Sequence, residues 1–267
     1  MSKRGIAWVT GAAAALVLAL GAAGSAFAAG KPTLTVATDP SFVPFESLNI
    51  KTHKMVGFDM DIIRHIGKEA GFNVKLRTMD FNGIIPALQA HSVDIAIAGI
   101  TITQQRAKKI DYSIPYYDSG LRIMVRANNN DIKTLKDLSG KKISTKIGST
   151  SYDFLHKNVP DAKAIVPYPA TDQMYMAVIS GNVDAALYDA PNVLYFVKTK
   201  GHGKVKAVGP LYEGQQYGIA FPKGSKWVAP VNKALKAMYS NGSYAKIYKK
   251  WFGEAPPKDI VSQGSSS

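Results

Sequence analysis

Runs of β-branched residues alternate along the chain with segments whose apolar residues recur every three to four positions. The run at 33–38 ends in the turn signal Asp39-Pro40, whereas the apolar residues from Phe58 to Ala70 repeat at helical spacing until Gly71. The predicted elements in this part are strands at 33–38, 74–77 and 93–98 and helices at 57–70 and 84–90, the latter with Pro86 in its first turn. This βαβαβ order predicts parallel strands joined by helical crossovers.

The same rhythm restarts further along the chain. The predicted elements there are an apolar run at 121–125, strands at 141–145, 184–188 and 217–221, a helix from 152 that residues 148–151 open, and helices around 174–179, 231–238 and 244–251. Two α/β units in one chain predict a cleft between them, because ligands of open α/β sheets bind outside the carboxyl ends of the strands.

The N-terminus has the three parts of a secretory signal. Lys3 and Arg4 precede an apolar run at 12–20, and small residues follow up to Ala26-Phe27-Ala28. The apolar run is shorter than the ~20 residues that span a bilayer, which argues against a membrane anchor. We expect residues 1–28 to be removed on secretion. The chain has no cysteine, hence neither a disulfide framework nor a lipid-attachment thiol.

Charge and motifs narrow the function classes. The net charge is +14, yet the lysines are scattered rather than gathered into an arginine-rich or aromatic-interleaved tract, which predicts a solvated basic surface and no nucleic-acid partner. The five histidines lie far apart without metal-ligand spacing, so we expect no metal and no cofactor. None of the common hydrolase, metalloprotease, P-loop or dinucleotide motifs occurs. A binding protein is therefore favoured over an enzyme.

Polar residues follow several of the predicted strands. Asp39 follows the first strand, Gly99 and Thr101 the third, Lys146 and Asp189 two strands of the second unit, and Arg106 lies on a short helix that Thr103 can cap. An amino-acid zwitterion needs such a set. Its carboxylate prefers a guanidinium and backbone N–H groups, and its ammonium prefers a carboxylate and carbonyl oxygens.

At these positions the chain resembles a known family. The matching segments are ATDPSFVPF (37–45), VGFDMD (56–61), MDFNGIIPAL (79–88), AGITIT (98–103) with Arg106, and QQYGIAFPKG (215–224). They are similar, in the same order, to the polar amino-acid-binding proteins of ABC importers, the family 3 extracellular solute-binding proteins. Within that family the resemblance is greatest to the periplasmic glutamine-binding proteins, and it runs from 34 to 252.

The resemblance implies a type II periplasmic binding protein fold. Two α/β lobes would be joined by a two-strand hinge with the ligand cleft between them. The large lobe would comprise 31–115 and 218–253, the small lobe 121–211, and the hinges 116–120 and 212–217, followed by a flexible tail at 255–267. A monomeric periplasmic protein that closes on its ligand and is read by an inner-membrane ABC permease is expected.

The resemblance also implies roles for single residues. Arg106 and the Thr101 backbone would hold the ligand carboxylate, Asp189 and the Gly99 carbonyl its ammonium, and Phe42 and Phe81 would enclose its aliphatic stem. Asp39 and Lys146 would face the side chain of the ligand, and a carboxamide can satisfy both, which favours glutamine. The remaining expected contacts are Ser149, Thr150 and Tyr188.

Two of these residues depart from the glutamine-binding pattern, and they keep alternatives open. Tyr188 stands where that pattern has a histidine, and Thr150 where it has a glycine. Either change could move selectivity to glutamate, asparagine, arginine or histidine. A dehydratase-like enzyme on the same fold is the remaining alternative class, and a signalling role with a membrane receptor instead of a permease is another.

Overall fold

The structure, a computed structural model, describes residues 30–262. The expected signal peptide therefore lies outside the described residues. In chain order the elements are β1 Thr33–Thr38, β2 Ser47–Asn49, β3 Lys54–Val56, α1 Phe58–Ala70, β4 Asn73–Thr78, α2 Phe81–Gln89, β5 Ile95–Ala96, α3 Gln104–Ala107, β6 Ile110–Tyr112, β7 Tyr117–Arg126, a 3₁₀ helix Leu135–Leu138, β8 Lys142–Lys146, α4 Thr150–Asn158, β9 Ala164–Tyr168, α5 Thr171–Ile179, β10 Ala185–Asp189, α6 Ala190–Thr199, β11 Val205–Tyr217, β12 Ala220–Pro222, α7 Val228–Ser240, α8 Ser243–Phe252 and α9 Lys258–Ser262. Within this part of the chain no helix has the length and apolarity needed to cross a membrane.

The first sheet has the strand order β4-β1-β5-β12-β6. Strand β1 pairs in parallel with β4 on one side and β5 on the other, and β12 runs antiparallel to β5 and β6. Helices α1 and α2 are the crossovers, so the predicted parallel βαβαβ unit is confirmed. The helix face predicted from Phe58 onward forms α1, which ends at Gly71 in the left-handed conformation expected of a C-terminal glycine.

The second sheet has the order β11-β7-β10-β8-β9. Strand β8 pairs in parallel with β9 and β10, and β7 runs antiparallel to β10. The buried side chains of this sheet include Leu121, Ile123, Ile143 and Leu187, which pack in one cluster beneath α4. The second predicted α/β unit is thereby present.

Two neighbouring long strands connect the sheets. Strands β7 and β11 pair antiparallel, with Tyr117 opposite Tyr217 and Ser119 opposite Gln215 near the first sheet. An isolated bridge from Thr101 to Tyr217 continues this pairing into the first sheet. The chain thus passes between the sheets twice along adjacent strands, at the segments where the sequence predicts hinges. The lobe and hinge boundaries themselves remain predictions.

Several element boundaries differ from the sequence predictions. Helix α2 begins at Phe81, so Pro86 lies inside the helix rather than in its first turn. Because proline has no N–H, one carbonyl of the preceding turn lacks its helical donor. The strand predicted at 217–221 is two strands, because β11 ends at Tyr217 and β12 begins at Ala220. The strand expected at 93–98 is only Ile95–Ala96. Part of the segment expected to be a flexible tail forms α9, because Ile260 is buried against the core.

Candidate binding cleft

The carboxyl ends of strands from both sheets meet, and two predicted site residues form an ion pair there. Lys146, at the end of β8, places its Nζ 2.6 Å from the Oδ2 of Asp39, which follows β1. Their side chains are only 1% and 4% exposed. Lys146 Nζ also donates to Ser41 Oγ at 2.7 Å and to the Pro169 carbonyl at 2.8 Å. One buried cation thus joins residues beside both sheets.

Arg106 lies on the short helix α3, which follows β5. Thr103 caps that helix as predicted, since its Oγ1 accepts from the Arg106 backbone N–H at 3.1 Å. The guanidinium donates to the carbonyl of Thr101 at 3.1 Å and to that of Gly148, on the second sheet's side, at 3.0 Å. It also lies over the Phe81 ring, 5.5 Å from the centroid. Its planar fork is thereby held at the edge where a ligand carboxylate is predicted.

Asp189 ends strand β10 and is 4% exposed. Burial raises the pKa of its carboxyl to about 6, and this rise is opposed by the hydrogen bond from the Tyr217 hydroxyl and by the positive charge of Arg106. The Tyr217 hydroxyl also lies 2.8 Å from Ser119 Oγ. Asp189 is therefore a desolvated carboxylate whose hydrogen-bond donor is a neutral phenol, and its charged form would be stabilised by a cation placed beside it.

The aromatic residues of the cleft form a cluster around Phe42. Its ring stacks on Phe45 at 4.8 Å between centroids and meets the edges of Tyr188 and Tyr217 at 5.8 and 6.0 Å. Gly99 has a φ of 54°, and a Cβ there would come within 2.3 Å of the Phe42 ring. Only glycine allows this close approach. That Phe42 and Phe81 enclose one ligand stem remains a prediction.

Hydroxyl groups from both sides of the cleft converge on Gln215 of β11. Its Oε1 accepts from Thr101 Oγ1 and from Thr150 Oγ1, each at 3.1 Å, and its Nε2 donates to Glu213 at 3.2 Å. Ser149 acts as the N-cap of α4, with its Oγ 2.6 Å from the Lys146 carbonyl and 3.3 Å from the Tyr152 N–H. Gln215 thus joins Thr101 and Thr150, two of the expected contact residues, whereas Gln215 itself was not among the predicted residues.

A cavity of about 420 Å³ adjoins these hydroxyl groups. Its lining includes Thr101, Arg106, Thr150, Lys157, Glu213 and Gln215. Direct hydrogen bonds close the opposite side of the cleft, from Thr171 Oγ1 to the Ser41 carbonyl and from Asn192 Nδ2 to the Val43 carbonyl. Within residues 30–262 no cluster of three or more histidine or acidic side chains could hold a metal ion.

The two sheets, the paired connecting strands and the polar cleft define the two-lobed type II binding-protein fold, which solved amino-acid-binding proteins share. The model of the bacterial extracellular solute-binding proteins, family 3, matches residues 34–254. The chain belongs to this family.

Individual relatives agree with this assignment. The L-cystine-binding protein TcyJ of Escherichia coli K12 is 30% identical over 223 residues, which cover 83% of each chain. The arginine-binding extracellular protein ArtP of Bacillus subtilis 168 is 30% identical over 250 residues, covering 90% of this chain and 95% of that protein. An ancestral arginine-binding protein, solved with arginine and with glutamine, is 42% identical with a TM-score of 0.79, covering 83% of this chain and 98% of that one. These relatives are named as binding proteins rather than enzymes. The expected greater likeness to glutamine-binding proteins stays a prediction.

Proposed function

We propose that this protein captures a polar L-amino acid in the periplasm, with glutamine preferred, and delivers it to an ABC permease. The observation that carries the proposal is the buried Asp39–Lys146 pair, one acid and one base at 2.6 Å in the same cleft as Arg106 and Asp189. These four charged groups, together with the polar backbone beside them, match the groups of an amino acid whose side chain is polar and neutral.

The α-amino and α-carboxylate groups of the ligand would be held at separate places. The ammonium would lie between Asp189 and the Gly99 carbonyl, because the desolvated carboxylate of Asp189 gains most from a cation. The carboxylate would take the guanidinium of Arg106 and the backbone N–H of Thr101. Arg106 would then exchange its bonds to backbone carbonyls for charge-assisted bonds, which are roughly twice as strong as neutral ones.

The ligand side chain would separate Asp39 from Lys146. A carboxamide donates to Asp39 through its NH₂ group and accepts from Lys146 through its oxygen, so it satisfies both. A cationic side chain would be opposed by Lys146, and an anionic one by Asp39. The ancestral arginine-binding protein has been solved with glutamine as well as arginine, which supports a pocket of this family holding a carboxamide.

Capture would require secretion of the protein and closure of its hinge around the ligand. The proposed hinges, 116–120 and 212–217, would lie along the paired strands β7 and β11, and the direct contacts between Thr171 and Ser41 and between Asn192 and Val43 would form on closure. Removal of residues 1–28 would release the protein into the periplasm, where the closed form is presented to the permease.

Thermal unfolding of the chain without residues 1–28 tests the proposal against each of the twenty amino acids. A ligand at 100 times its dissociation constant adds about 2.7 kcal/mol of stability, so glutamine should give the largest rise in unfolding temperature. The test variant is Arg106→Ala, and its matched control is Arg77→Ala. Arg77 is an exposed arginine that, like Arg106, donates to a backbone carbonyl. Arg106→Ala should lose the response and Arg77→Ala should keep it. No response to any amino acid at millimolar concentration would refute the function, and a larger response to another amino acid would refute glutamine.

A further inference from the structure

Two acidic side chains outside the predicted ligand contacts are buried together behind the cleft. Glu46, which precedes β2, and Asp59, in the first turn of α1, are both 0% exposed. The backbone N–H of Asp59 donates to the carbonyl of Phe45 at 2.9 Å, which brings Asp59 next to Glu46. Among the described residues neither Glu46 oxygen has a hydrogen-bond donor, and the same holds for Oδ1 of Asp59. Two ionised carboxylates are both acceptors and repel each other when buried together, so the site favours a state in which one of them carries a proton.

The surroundings decide which acid carries the proton. Oδ2 of Asp59 accepts from the Tyr116 hydroxyl at 2.8 Å and from the Gly99 N–H at 3.1 Å, two donors that stabilise its ionised form. Glu46 has no such donors, and its burial together with the negative charges of Asp59 and Asp39 raises its pKa well above the ordinary value. Lys146 opposes that rise, and burial of Tyr116 raises the pKa of its phenol, which therefore remains a donor. Burial raises the pKa of Asp59 too, to about 6, so above that pH these surroundings favour the proton on Glu46 and the charge on Asp59.

The charge on Asp59 fixes a peptide unit of the cleft. Its bond to the Gly99 N–H holds that residue in the left-handed conformation against the Phe42 ring. The Gly99 carbonyl is one of the groups assigned to the ligand ammonium. Asp59 places one buried negative charge behind the same residue, and a second charge on Glu46 would repel Asp59 at contact distance.

We infer that Glu46 and Asp59 form a carboxyl–carboxylate pair with one shared proton that positions Gly99 for the ligand ammonium. Glu46 is a positioning residue here, since it acts through Asp59 and Gly99 rather than on the ligand. The role at the ammonium rests on the proposed function. The shared proton does not, so it can be tested on the protein without ligand.

Infrared spectroscopy of the ligand-free protein tests the shared proton. At about pH 8, where an exposed glutamate is ionised, the spectrum should retain the carbonyl stretch of a protonated carboxylic acid. That band should disappear in Glu46→Gln and persist in Glu69→Gln, a change of an exposed acid on the same helix as Asp59. A wild-type spectrum without the band, or a band that survives Glu46→Gln, would overturn the inference.

The amide proton resonance of Gly99 tests the positioning. A charge-assisted bond to Asp59 moves this resonance downfield, and Glu46→Gln should leave it in place because the glutamine amide donates to Asp59 as the protonated acid does. Asp59→Asn should move it upfield, since a neutral amide oxygen is the weaker acceptor. An equal displacement in both variants would contradict the assignment of charge to Asp59.

Calorimetry with glutamine connects the pair to binding. Glu46→Ala should weaken affinity by about tenfold or more, because Asp59 loses a buried hydrogen bond, and Glu46→Gln should restore it to within about threefold. If wild-type protein binds no amino acid while the Glu46-dependent band is present, the proposed function fails and the pair stands. If glutamine binds but Glu46→Gln is as weak as Glu46→Ala, the inference fails and the function stands.

Discussion

Replacing Asp189 by asparagine should stabilise the ligand-free protein and at the same time remove its affinity for an amino acid. The carboxyl is buried at the end of β10, and its hydrogen-bond donor is the Tyr217 hydroxyl. Asparagine has nearly the same shape, and its Oδ1 can accept the same bond. The substitution therefore removes a desolvated charge without opening a cavity or stranding the phenol.

The magnitude follows from the pKa of Asp189, which burial raises from 3.8 to about 6. A folded-state pKa above the unfolded value means that the native state holds the proton more tightly. The stability contributed by this group is thus fully present below about pH 3.8 and is lost as the pH rises to about 6. Each pKa unit is worth 1.36 kcal/mol, so above pH 6 the ionised side chain destabilises the ligand-free fold by about 3 kcal/mol. Asp189→Asn should recover about that amount at pH 8 and almost none near pH 3.5.

Urea unfolding of both proteins at several pH values measures this gain. The matched control is Asp172→Asn, because Asp172 is 60% exposed in its side chain and pairs with the exposed Lys200. Such a surface pair contributes about 0–1 kcal/mol, so the control should show little change. A gain for Asp189→Asn below about 1 kcal/mol at pH 8, or an equal gain at pH 3.5 and pH 8, would refute the assignment of a desolvated carboxylate.

Ligand affinity should respond to the same titration. In the proposed site the ligand ammonium would pair with the ionised form of Asp189, so wild-type affinity should decline as the pH falls below about 6. Asp189→Asn should bind weakly at every pH, with this decline absent. A wild-type affinity that stays constant from pH 8 to pH 4.5 would show that Asp189 does not bind the ligand ammonium.

The remaining predictions concern the carboxylate, the motion and the selectivity. Arg106→Ala should weaken glutamine binding by roughly a hundredfold or more, since two charge-assisted bonds worth ~1.5–3 kcal/mol each are lost; calorimetry showing under tenfold would remove Arg106 from the site. Small-angle scattering should give a smaller radius of gyration with saturating glutamine, and identical profiles would count against hinge closure. Lys146→Met should raise arginine or lysine affinity relative to glutamine, and Asp39→Asn should favour glutamate. An unchanged order of ligands in competition assays would show that this pair does not set selectivity.

Local periodicity predicted most of the architecture. The helical spacing from Phe58 to Ala70 and the left-handed Gly71 gave α1 almost to the residue. Because parallel strands present their carboxyl ends at one edge of a sheet, Asp39 could be assigned to that edge of the first sheet and Lys146 and Asp189 to that edge of the second without any coordinates. What the pattern could predict was the edge of the sheet at which each charged side chain lies.

The pattern could not predict which polar groups would pair. Gln215 bonds Thr101 and Thr150, residues far away along the chain, and the pairing depends on how β11 approaches both sheets. Strand β11 was itself only partly predicted. Its turn-forming Gly209-Pro210 and Glu213-Gly214 suggest interruptions, whereas the structure accommodates them as irregularities in the register with β7. The Glu46–Asp59 contact is hidden for the same reason, since each residue alone reads as a surface charge.

The cleft holds its acids in three different electrostatic states, and this separates the parts of the proposed recognition. Asp39 has a direct cation in Lys146, Asp59 accepts from Tyr116 and the Gly99 N–H, and Asp189 accepts from a neutral phenol. Asp59 and Asp189 both lack a direct cation, but Asp59 lies behind the cleft and already has two donors on one oxygen, so we expect a ligand ammonium to gain most at Asp189. A ligand side chain must compete with an existing ion pair between Asp39 and Lys146, so only a group that satisfies both can enter without leaving a buried charge unpaired. In the proposed site the α-amino group would thus be recognised by a charge that lacks a cation, and the side chain by the requirement to replace both partners of the Asp39–Lys146 pair.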